Sequence, residues 1–547
     1  MGKLIKKKRG LSRRNFLKHA GLGVAATPLL AACGNSDVLS ARSGGSVPAL
    51  DSPFQHGIAS GDPLPERMMF WTRITAAGDN IPVTLKVYAD PALSQLITQS
   101  AASASSTRDY TVKIDQGGLT AGATYYYQFE ALGFKSAIGR TRTAPSGANE
   151  RLRFGVVSCS SYAHGYFNGY LHLAKRADID AVLHLGDYIY EYGTGEYGTV
   201  RPYQPDHEMI ALPDYRTRHA YYKQDPDLME LHRQFPFITT WDYHESTDNS
   251  WRDAANNHTE GAEGQWPQRK AWAQQAYDEW MPIRYPESGN VSKIFRKFSY
   301  GNLADIFILD TRLYDRDEPD GIPVSATGKQ AGRKMLGPEQ MQWLLDGLSA
   351  STATWKLIGQ QVVFHQWQVA GAPQAAGGGQ QLNGDSWDGY QAERQQIIDH
   401  LRDNGINNAV VLSGDVHSSW VADVTDDPNN PAVYDPATGG SVAVEFVTTS
   451  ITSPFAIDIP EGQQAFLASN PHIRYTDWDK KGYLLLDLNA SRVQGEFWYA
   501  SGFTTPGGTE SLGTAYAAAV DANHLGIAPL TTPSSAPENP PPFAPVQ

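Results

Sequence analysis

Between residues 54 and 145 the chain contains short runs in which apolar and polar residues alternate. The clearest of these runs are 68–73, 81–89, 110–114 and 123–131, and turn residues separate them. Alternation with a period of two is typical of β-strands that are buried on one face. The pattern predicts a β-sandwich, which we place at residues 53–146.

After residue 151, short apolar runs alternate with longer helical and polar segments. Strands are predicted at 154–157, 181–185, 305–309, 355–361, 409–412 and 442–448, and helices at 171–177, 338–348 and 392–403. An antiparallel pair is predicted at 482–488 and 493–500. This alternation predicts an α/β domain over residues 147–525. The segment 526–547 is rich in proline and is predicted to be disordered or extended.

The start of the chain differs in charge from the rest. The whole chain has a net charge of −13, whereas residues 1–32 hold eight Lys or Arg and no Asp or Glu. Ser12–Lys18 matches a twin-arginine export pattern, and the apolar run Ala20–Ala32 is shorter than the roughly 20 residues that span a bilayer. Residues 1–32 are therefore interpreted as a twin-arginine signal peptide and 33–52 as a linker. The acidic remainder argues against nucleic-acid binding.

The chain has two cysteines, Cys33 and Cys159. Leu30–Cys33 resembles a bacterial lipobox, so Cys33 is a candidate for lipidation and membrane anchoring. Ordinary cleavage at a nearby small residue is the alternative. In either case a disulfide from the flexible N-terminal part to Cys159 is not expected. A free thiol in an oxidising compartment has to be buried or bound, which makes Cys159 a candidate ligand.

Polar side chains that bind metals follow six predicted strands in succession. In open α/β sheets the site lies at the carboxyl ends of strands, so these side chains are expected to meet at one edge. The group comprises Cys159, Asp187, Tyr190, Asp242, His244, Asp248, Asn249, Asp310, His365, Asp415 and His417. Thiolate and phenolate together suit ferric iron, whereas carboxylate and amide oxygens suit calcium or magnesium. The sequence therefore predicts a mixed metal site.

Three motifs connect the chain with a known family. Gly186–Tyr190, Trp241–Glu245 and Gly414–His417 resemble the metallophosphoesterases, and more closely the alkaline phosphatase D (PhoD-like) family. The segments 54–63, 157–159 and 309–312 are also similar to that family. The resemblance implies an αββα sandwich catalytic domain of the metallophosphoesterase type, preceded by a fibronectin type III-like β-sandwich.

The resemblance also implies the ligands. Ferric iron (Fe3+) would be held by Cys159, Asp187, Tyr190 and His417. Asp187 would bridge to calcium (Ca2+), which Asp415 helps to bind and the segment from Asp242 to Asn249 completes. In this segment the chain departs from the family, because Tyr243 stands where a second aspartate is common. The expected order of calcium ligands is Asp248, then Asn249, then Asp242.

Two arginines and one histidine near the motifs can each be interpreted in two ways. Arg216 and Arg218 are predicted to bind the phosphate group, and Arg216 is also predicted to act in catalysis; a salt bridge to an acidic neighbour is the alternative for both. His244 is predicted to act in catalysis by transferring a proton, with a buried structural histidine as the alternative.

The predicted function is that of an exported alkaline phosphatase or phosphodiesterase. It would hydrolyse small-molecule or lipid phosphate esters with a metal-bound hydroxide or oxo group, after export by the twin-arginine machinery to the periplasm or beyond. One alternative is a dedicated phosphodiesterase with phospholipase D-like or nuclease activity. A second is a non-catalytic, metal-binding lipoprotein that uses its β-sandwich as a binding module.

Overall fold

The computed structural model describes residues 52–368, 381–455 and 460–546. The predicted signal peptide, Cys33 and almost all of the predicted linker lie outside these residues. In the described part of the chain, no helix is both long and apolar enough to cross a membrane.

The secondary structure of the described residues is mostly β. The strands are β1 Ile58–Gly61, β2 Arg67–Arg73, β3 Ile81–Tyr88, β4 Leu96–Ala104, β5 Thr111–Gly117, β6 Thr124–Ala131, β7 Phe134–Lys135, β8 Gly139–Arg142, β9 Arg151–Val157, β10 Ala181–His184, β11 Pro236–Thr239, β12 Arg296–Tyr300, β13 Ala304–Ile308, β14 Trp355–Gly359, β15 Ala409–Ser413, β16 Ser419–Val424, β17 Ala443–Val447, β18 Ile473–Asp477, β19 Lys481–Asn489, β20 Arg492–Ala500 and β21 Glu510–Ala519. The α-helices are α1 Asn168–Ala174, α2 Leu212–Lys223, α3 Pro226–Gln234, α4 Trp266–Trp280, α5 Gly337–Ala350, α6 Gln391–Asp403 and α7 Pro460–Ser469.

Two large sheets pack face to face. One has the strand order β21-β20-β19-β9-β10-β11-β1-β2-β5, and the other has the order β12-β13-β14-β15-β17-β16-β18. Strands of both sheets contribute to one core, which includes Phe154, Leu183, Leu357 and Phe446. Helices α1 to α4 cover the outer face of the first sheet, and α5 and α6 cover that of the second. The α/β region is therefore an αββα sandwich, as predicted.

The sequence explains why these strands and helices form. Every residue of β15 is buried, as expected for a parallel strand that is covered on both faces. Helix α6 buries Arg394, Ile397, Ile398 and Leu401, whose spacing of three and four residues places them on one face.

The N-terminal part forms a β-sandwich around Phe70, Leu85, Tyr127 and Phe129. Strands β3, β4, β6 and β7, with β8 beside β6, make one of its sheets. Its other strands, β1, β2 and β5, belong to the nine-stranded sheet, because β1 pairs in parallel with β11. The sandwich thus shares a continuous sheet with the α/β region.

The proline-rich end of the chain is extended and has specific partners. Tyr126 donates a hydrogen bond to the carbonyl of Pro542 at 2.6 Å, and Arg140 donates to that of Pro541 at 2.9 Å. Arg151 donates to the carbonyl of Ser535 at 2.5 Å. Because Arg151 begins β9, the tail crosses the amino ends of the parallel strands, on the opposite edge from their carboxyl ends.

Removal of residues 533–547 is expected to lower the free energy of unfolding by about 2–5 kcal/mol, since each lost hydrogen bond contributes about 1 kcal/mol. Urea unfolding of the full and shortened chains measures the difference. The Tyr126→Phe variant, which loses a single bond to the tail, should lose about 1 kcal/mol. Equal midpoints for the full and shortened chains would show that these contacts do not stabilise the fold.

Lys223, at the end of α2, is buried with a histidine as its partner. Its Nζ lies 2.9 Å from Nε2 of His232 and over the rings of Trp71 and Tyr188, at 4.8 and 5.2 Å from their centroids. Burial lowers the pKa of Lys223 well below its ordinary value of 10.5. Over a wide pH range, Lys223 is therefore deprotonated in the folded protein but protonated in the unfolded chain.

This lysine makes stability depend on pH with a defined sign. Between the lowered pKa of the folded state and about pH 10, the unfolded chain binds a proton at Lys223 that the folded chain does not bind, so stability rises with pH by up to about 1.4 kcal/mol per unit. We expect the Lys223→Met variant to lose this contribution, so that its difference in unfolding free energy from the parent changes between pH 7 and 9.5. The exposed Lys175, replaced in the same way, is the control. Parallel pH profiles for the parent and the Lys223 variant would contradict the expectation.

Candidate metal centre

Donor side chains follow the carboxyl ends of four parallel strands. Cys159 lies two residues after β9, Asp187 three after β10, and Asp242 three after β11. Asp415 and His417 come two and four residues after β15 of the other sheet. Both sheets thus contribute to one site, whereas the sequence pattern predicted a single sheet edge.

The backbone at these positions has an unusual conformation. The φ angles of Cys159, Asp187, Asp415 and His417 are +58°, +55°, +63° and +62°. Such left-handed conformations cost non-glycine residues energy and cluster at functional sites. Gly186 is required for a related reason, since a Cβ there would lie 2.5 Å from the backbone nitrogen of Asp242.

Four side chains of different chemistry meet at one point. Ligand atoms of Cys159, Asp187 and His417 all lie within 4.8 Å of one another. The hydroxyl of Tyr190 lies 3.2 Å from Oδ2 of Asp187 and 3.3 Å from Nε2 of His417. A thiol, a carboxylate, a phenol and an imidazole therefore surround one position, and this donor set fits ferric iron.

Neighbouring groups orient two of these donors. Nδ1 of His417 lies 2.8 Å from the carbonyl of Pro454, so it donates there and leaves the lone pair of Nε2 for a metal. The hydroxyl of Ser453 donates to the Tyr190 oxygen at 2.6 Å and also lies 3.0 Å from the carbonyl of Cys159. No motif in the sequence singles out Ser453, so it was missed.

The donors are buried so deeply that their charged forms need a cation. Burial, together with the charge of Asp187, raises the pKa of Cys159 well above its ordinary value. Burial and the carboxylates of Asp242 and Glu245 do the same for Asp187. Burial also raises the pKa of Tyr190. A bound metal ion reverses this effect, because it favours the deprotonated donors.

The neighbouring carboxylates lie around a buried arginine. The guanidinium of Arg312 pairs with Asp242, with Asp385 at 2.9 Å and with Asp415 at 3.0 Å. It also lies over the ring of Tyr243 at 4.4 Å. Arg312 therefore fixes the orientation of two of the predicted calcium ligands, Asp242 and Asp415.

Oxygen atoms remain available for a second cation. Within the described residues, Oδ2 of Asp242 and Oδ1 of Asn249 are buried and have no hydrogen-bond partner. Burial raises the pKa of Asp242 to about 7, and Asp415 adds to the rise while Arg312 opposes it. A buried oxygen without a hydrogen-bond partner costs free energy, and calcium prefers oxygen ligands. The residues present therefore fit a second, hard cation. Asp248 is also buried and precedes Asn249 directly.

Glu245 joins two of the loops. Its carboxylate accepts hydrogen bonds from the backbone N–H groups of Asp187 at 3.1 Å, Tyr188 at 2.6 Å and Asp242 at 2.8 Å. Burial raises the pKa of Glu245 to about 8, although these bonds oppose the rise. Glu245 belongs to the Trp241–Glu245 motif, which by itself predicts no role for it. In the structure Glu245 positions the two ligand loops.

His244 is paired with Glu191 beside the donor cluster. Nδ1 of His244 lies 2.6 Å from Oε2 of Glu191, and its ring lies 4.1 Å from that of Tyr190. Glu191 also accepts from the backbone N–H of Asp248 at 2.8 Å. Burial opposes ionisation, but His244 and these bonds lower the pKa of Glu191 to about 2. An ionised Glu191 holds the Nδ1 proton of His244 and so fixes its tautomer.

The two predicted phosphate-binding arginines have other partners. Arg216 forms two bonds to Glu279, at 2.7 and 2.6 Å, and donates to the carbonyl of Thr107 in the β-sandwich. Arg218 is fully buried and donates to backbone carbonyls of the segment 190–207. Arg216 therefore forms the salt bridge of the alternative interpretation, and Arg218 fixes a loop, while phosphate binding by either residue stays a prediction.

Comparison with protein families agrees with this site. The family model of the PhoD-like phosphatases matches residues 154–497, and that of the PhoD-like phosphatase N-terminal domain matches residues 40–145. Alkaline phosphatase D of Bacillus subtilis (strain 168) is 36% identical over 475 residues, which cover 83% of this chain and 79% of that protein.

Solved structures lead to the same assignment. The structure of PhoD superposes with a TM-score of 0.80 at 34% identity and covers 89% of this chain and 94% of its own. Purple acid phosphatase PPD1 from yellow lupin shares the fold, with a TM-score of 0.54 at 13% identity and coverage of 88% and 77%. The chain belongs to the PhoD-like phosphatase family and is a phosphoric ester hydrolase.

Proposed function

We propose that this protein is an exported alkaline phosphatase with phosphodiesterase activity that works at a mixed centre of Fe3+ and Ca2+. The observation that carries the proposal is the convergence of Cys159, Asp187, Tyr190 and His417 on one buried position. A thiolate and a phenolate on the same cation favour ferric iron over the harder divalent ions.

Calcium is proposed for the side formed by Asp242, Asp248, Asn249 and Asp415, with Asp187 between the two cations. Support comes from the buried oxygens of Asp242 and Asn249 that have no hydrogen-bond partner among the described residues. Tyr243 packs on Arg312 instead of offering a carboxylate. The calcium side therefore depends on fewer aspartates than the family pattern has.

The bound metal ions supply Lewis acidity, which activates water and offsets negative charge on the phosphoryl group. The protein supplies orientation and proton transfer. Arg312 keeps Asp242 and Asp415 fixed, and Glu245 holds the two loops on which Asp187 and Asp242 lie. We assign His244 to protonating the alcohol that leaves, because Glu191 holds its Nδ1 and leaves Nε2 to exchange a proton.

The twin-arginine pattern and the basic start support export through the twin-arginine machinery to the periplasm or outside the cell. Lipidation of Cys33 would add anchoring to the membrane. The acidic composition argues against nucleic acids, and small-molecule or lipid phosphate esters are the proposed substrates.

Hydrolysis of 4-nitrophenyl phosphate and bis(4-nitrophenyl) phosphate tests the proposal. The iron-loaded protein should hydrolyse both at alkaline pH, and removal of calcium with a selective chelator should lower both rates reversibly. The ratio of the two rates separates the phosphatase from a dedicated phosphodiesterase. Metal-replete protein that turns over neither ester would support the binding-protein alternative, and full activity without calcium would reject the calcium side alone.

A further inference from the structure

Three aromatic side chains, His164, Tyr192 and Tyr197, form what we call the aromatic wall beside the candidate centre. The ring of Tyr197 lies 4.3 Å from that of His164 and 4.9 Å from that of Tyr192, measured between centroids. It is also stacked on Tyr190, at 5.7 Å and with 17° between the planes. The aromatic wall thus directly contacts one of the proposed iron ligands.

Two members of the aromatic wall are more exposed than the donor cluster. Tyr190 and His244 are buried, whereas Tyr197 and His164 are only partly buried. Exposure therefore increases from the proposed ligand Tyr190 outward through Tyr197. A group attached to a phosphate at the centre extends away from the buried donors, and Tyr197 is a partly exposed aromatic ring that stacks on one of them.

The loop that carries Tyr197 is anchored at both ends. The backbone N–H of Thr194 donates to Asp206 at 2.8 Å, and that of Val200 donates to Ala163 at 2.8 Å. Gly198 has a φ of +89°, and a Cβ there would lie 2.7 Å from the carbonyl of Ala163. Since the loop is already fixed, contact with a substrate orders few additional groups, and more of the contact energy is available for selectivity.

We propose that the aromatic wall makes this centre selective for phosphate esters whose alcohol carries a planar aromatic ring, with Tyr197 as the main specificity-determining residue. The proposal rests on the proposed phosphatase function and names a substrate class for it. Aromatic rings pack on one another with a preference beyond their apolar area, whereas a small alkyl alcohol makes little contact with the aromatic wall.

The test compares kcat/KM for benzyl phosphate and ethyl phosphate, whose alcohols have similar acidity, with cyclohexylmethyl phosphate as the apolar ester that lacks a π-system. The parent enzyme should prefer benzyl phosphate. The Tyr197→Ala and Tyr197→Leu variants should reduce the benzyl-to-ethyl ratio about three- to tenfold, and Tyr197→Phe should keep it. The leucine variant retains most of the packing volume if the alanine variant is unstable.

Tyr221 is the matched control, because it is also a partly buried tyrosine in an aromatic contact, with Tyr162 at 4.6 Å. The Tyr221→Ala variant should leave the ratio unchanged. If Tyr197→Leu turns over both esters with the parent ratio, the inference is wrong and the phosphatase function stands. If the iron-loaded parent hydrolyses none of the three esters or the nitrophenyl esters, the proposed function and this inference fail together. An equal loss with cyclohexylmethyl phosphate would overturn the aromatic preference.

Discussion

The Cys159→Ala variant is expected to lose its iron and at least about a hundredfold in kcat/KM. Replacing even an outer partner of a metal ligand typically costs 10–100-fold in affinity or activity, and a direct ligand should cost more. The thiol is one of four donors that meet at the buried position. Without it, Asp187, Tyr190 and His417 would have to hold the cation with one ligand fewer.

Two measurements separate this expectation from a structural role of the thiol. The parent should contain about one iron per chain and show a visible charge-transfer band, because thiolate and phenolate ligands are present. Both should disappear in the Cys159→Ala variant. Ser160→Ala is the control on the same loop, since it removes hydrogen bonds to the carbonyls of Tyr188 and Asp187, at 3.0 and 3.4 Å, but no proposed ligand. Iron content equal to that of the parent in the alanine variant would show that Cys159 is merely buried.

The iron side of the site could be predicted from the sequence for a physical reason. Parallel strands bring their carboxyl ends to one edge, so the order of strands along the chain already groups Cys159 and Asp187. His417 follows a strand of the second sheet, so its place in the group depends on how the two sheets pack. Tyr190 follows Asp187 by three residues, so the sequence itself places it beside Asp187. The α/β class was predictable from the pattern, because strands buried on both faces are continuous apolar runs. The αββα arrangement was implied by the family resemblance.

Other features depend on contacts between distant parts of the chain. Arg312 and Asp242 are 70 residues apart, so their pairing gives no local signal. Arg216 was predicted to bind phosphate from its charge and position, but Glu279, in a helix that was not predicted, pairs with it. The pairing of β1 with β11 similarly joins two segments that are far apart. Such contacts follow from tertiary packing, which alternation and motifs do not encode.

His244 was left with two interpretations by the sequence, and its contact with Glu191 makes the catalytic one testable. We expect the His244→Gln variant to lose about 10²–10⁴-fold in kcat on ethyl phosphate, the range typical of general acid catalysis. The loss on 4-nitrophenyl phosphate should be much smaller, because 4-nitrophenolate leaves without needing a proton. A histidine with a purely structural role would affect both esters equally. The comparison of two leaving groups thus distinguishes the two interpretations within one variant.

The design needs the metal centre to remain intact, because the ring of His244 lies 4.1 Å from that of Tyr190. Iron content and the visible band of the His244→Gln variant should therefore match those of the parent. Glu191→Gln should change the ratio of the two rates in the same direction but less, since His244 stays in place without its ionised partner. The exposed His207, replaced by glutamine, serves as the control. If the two esters lose the same factor while iron is retained, His244 does not donate the proton, and the leaving alcohol takes it from water.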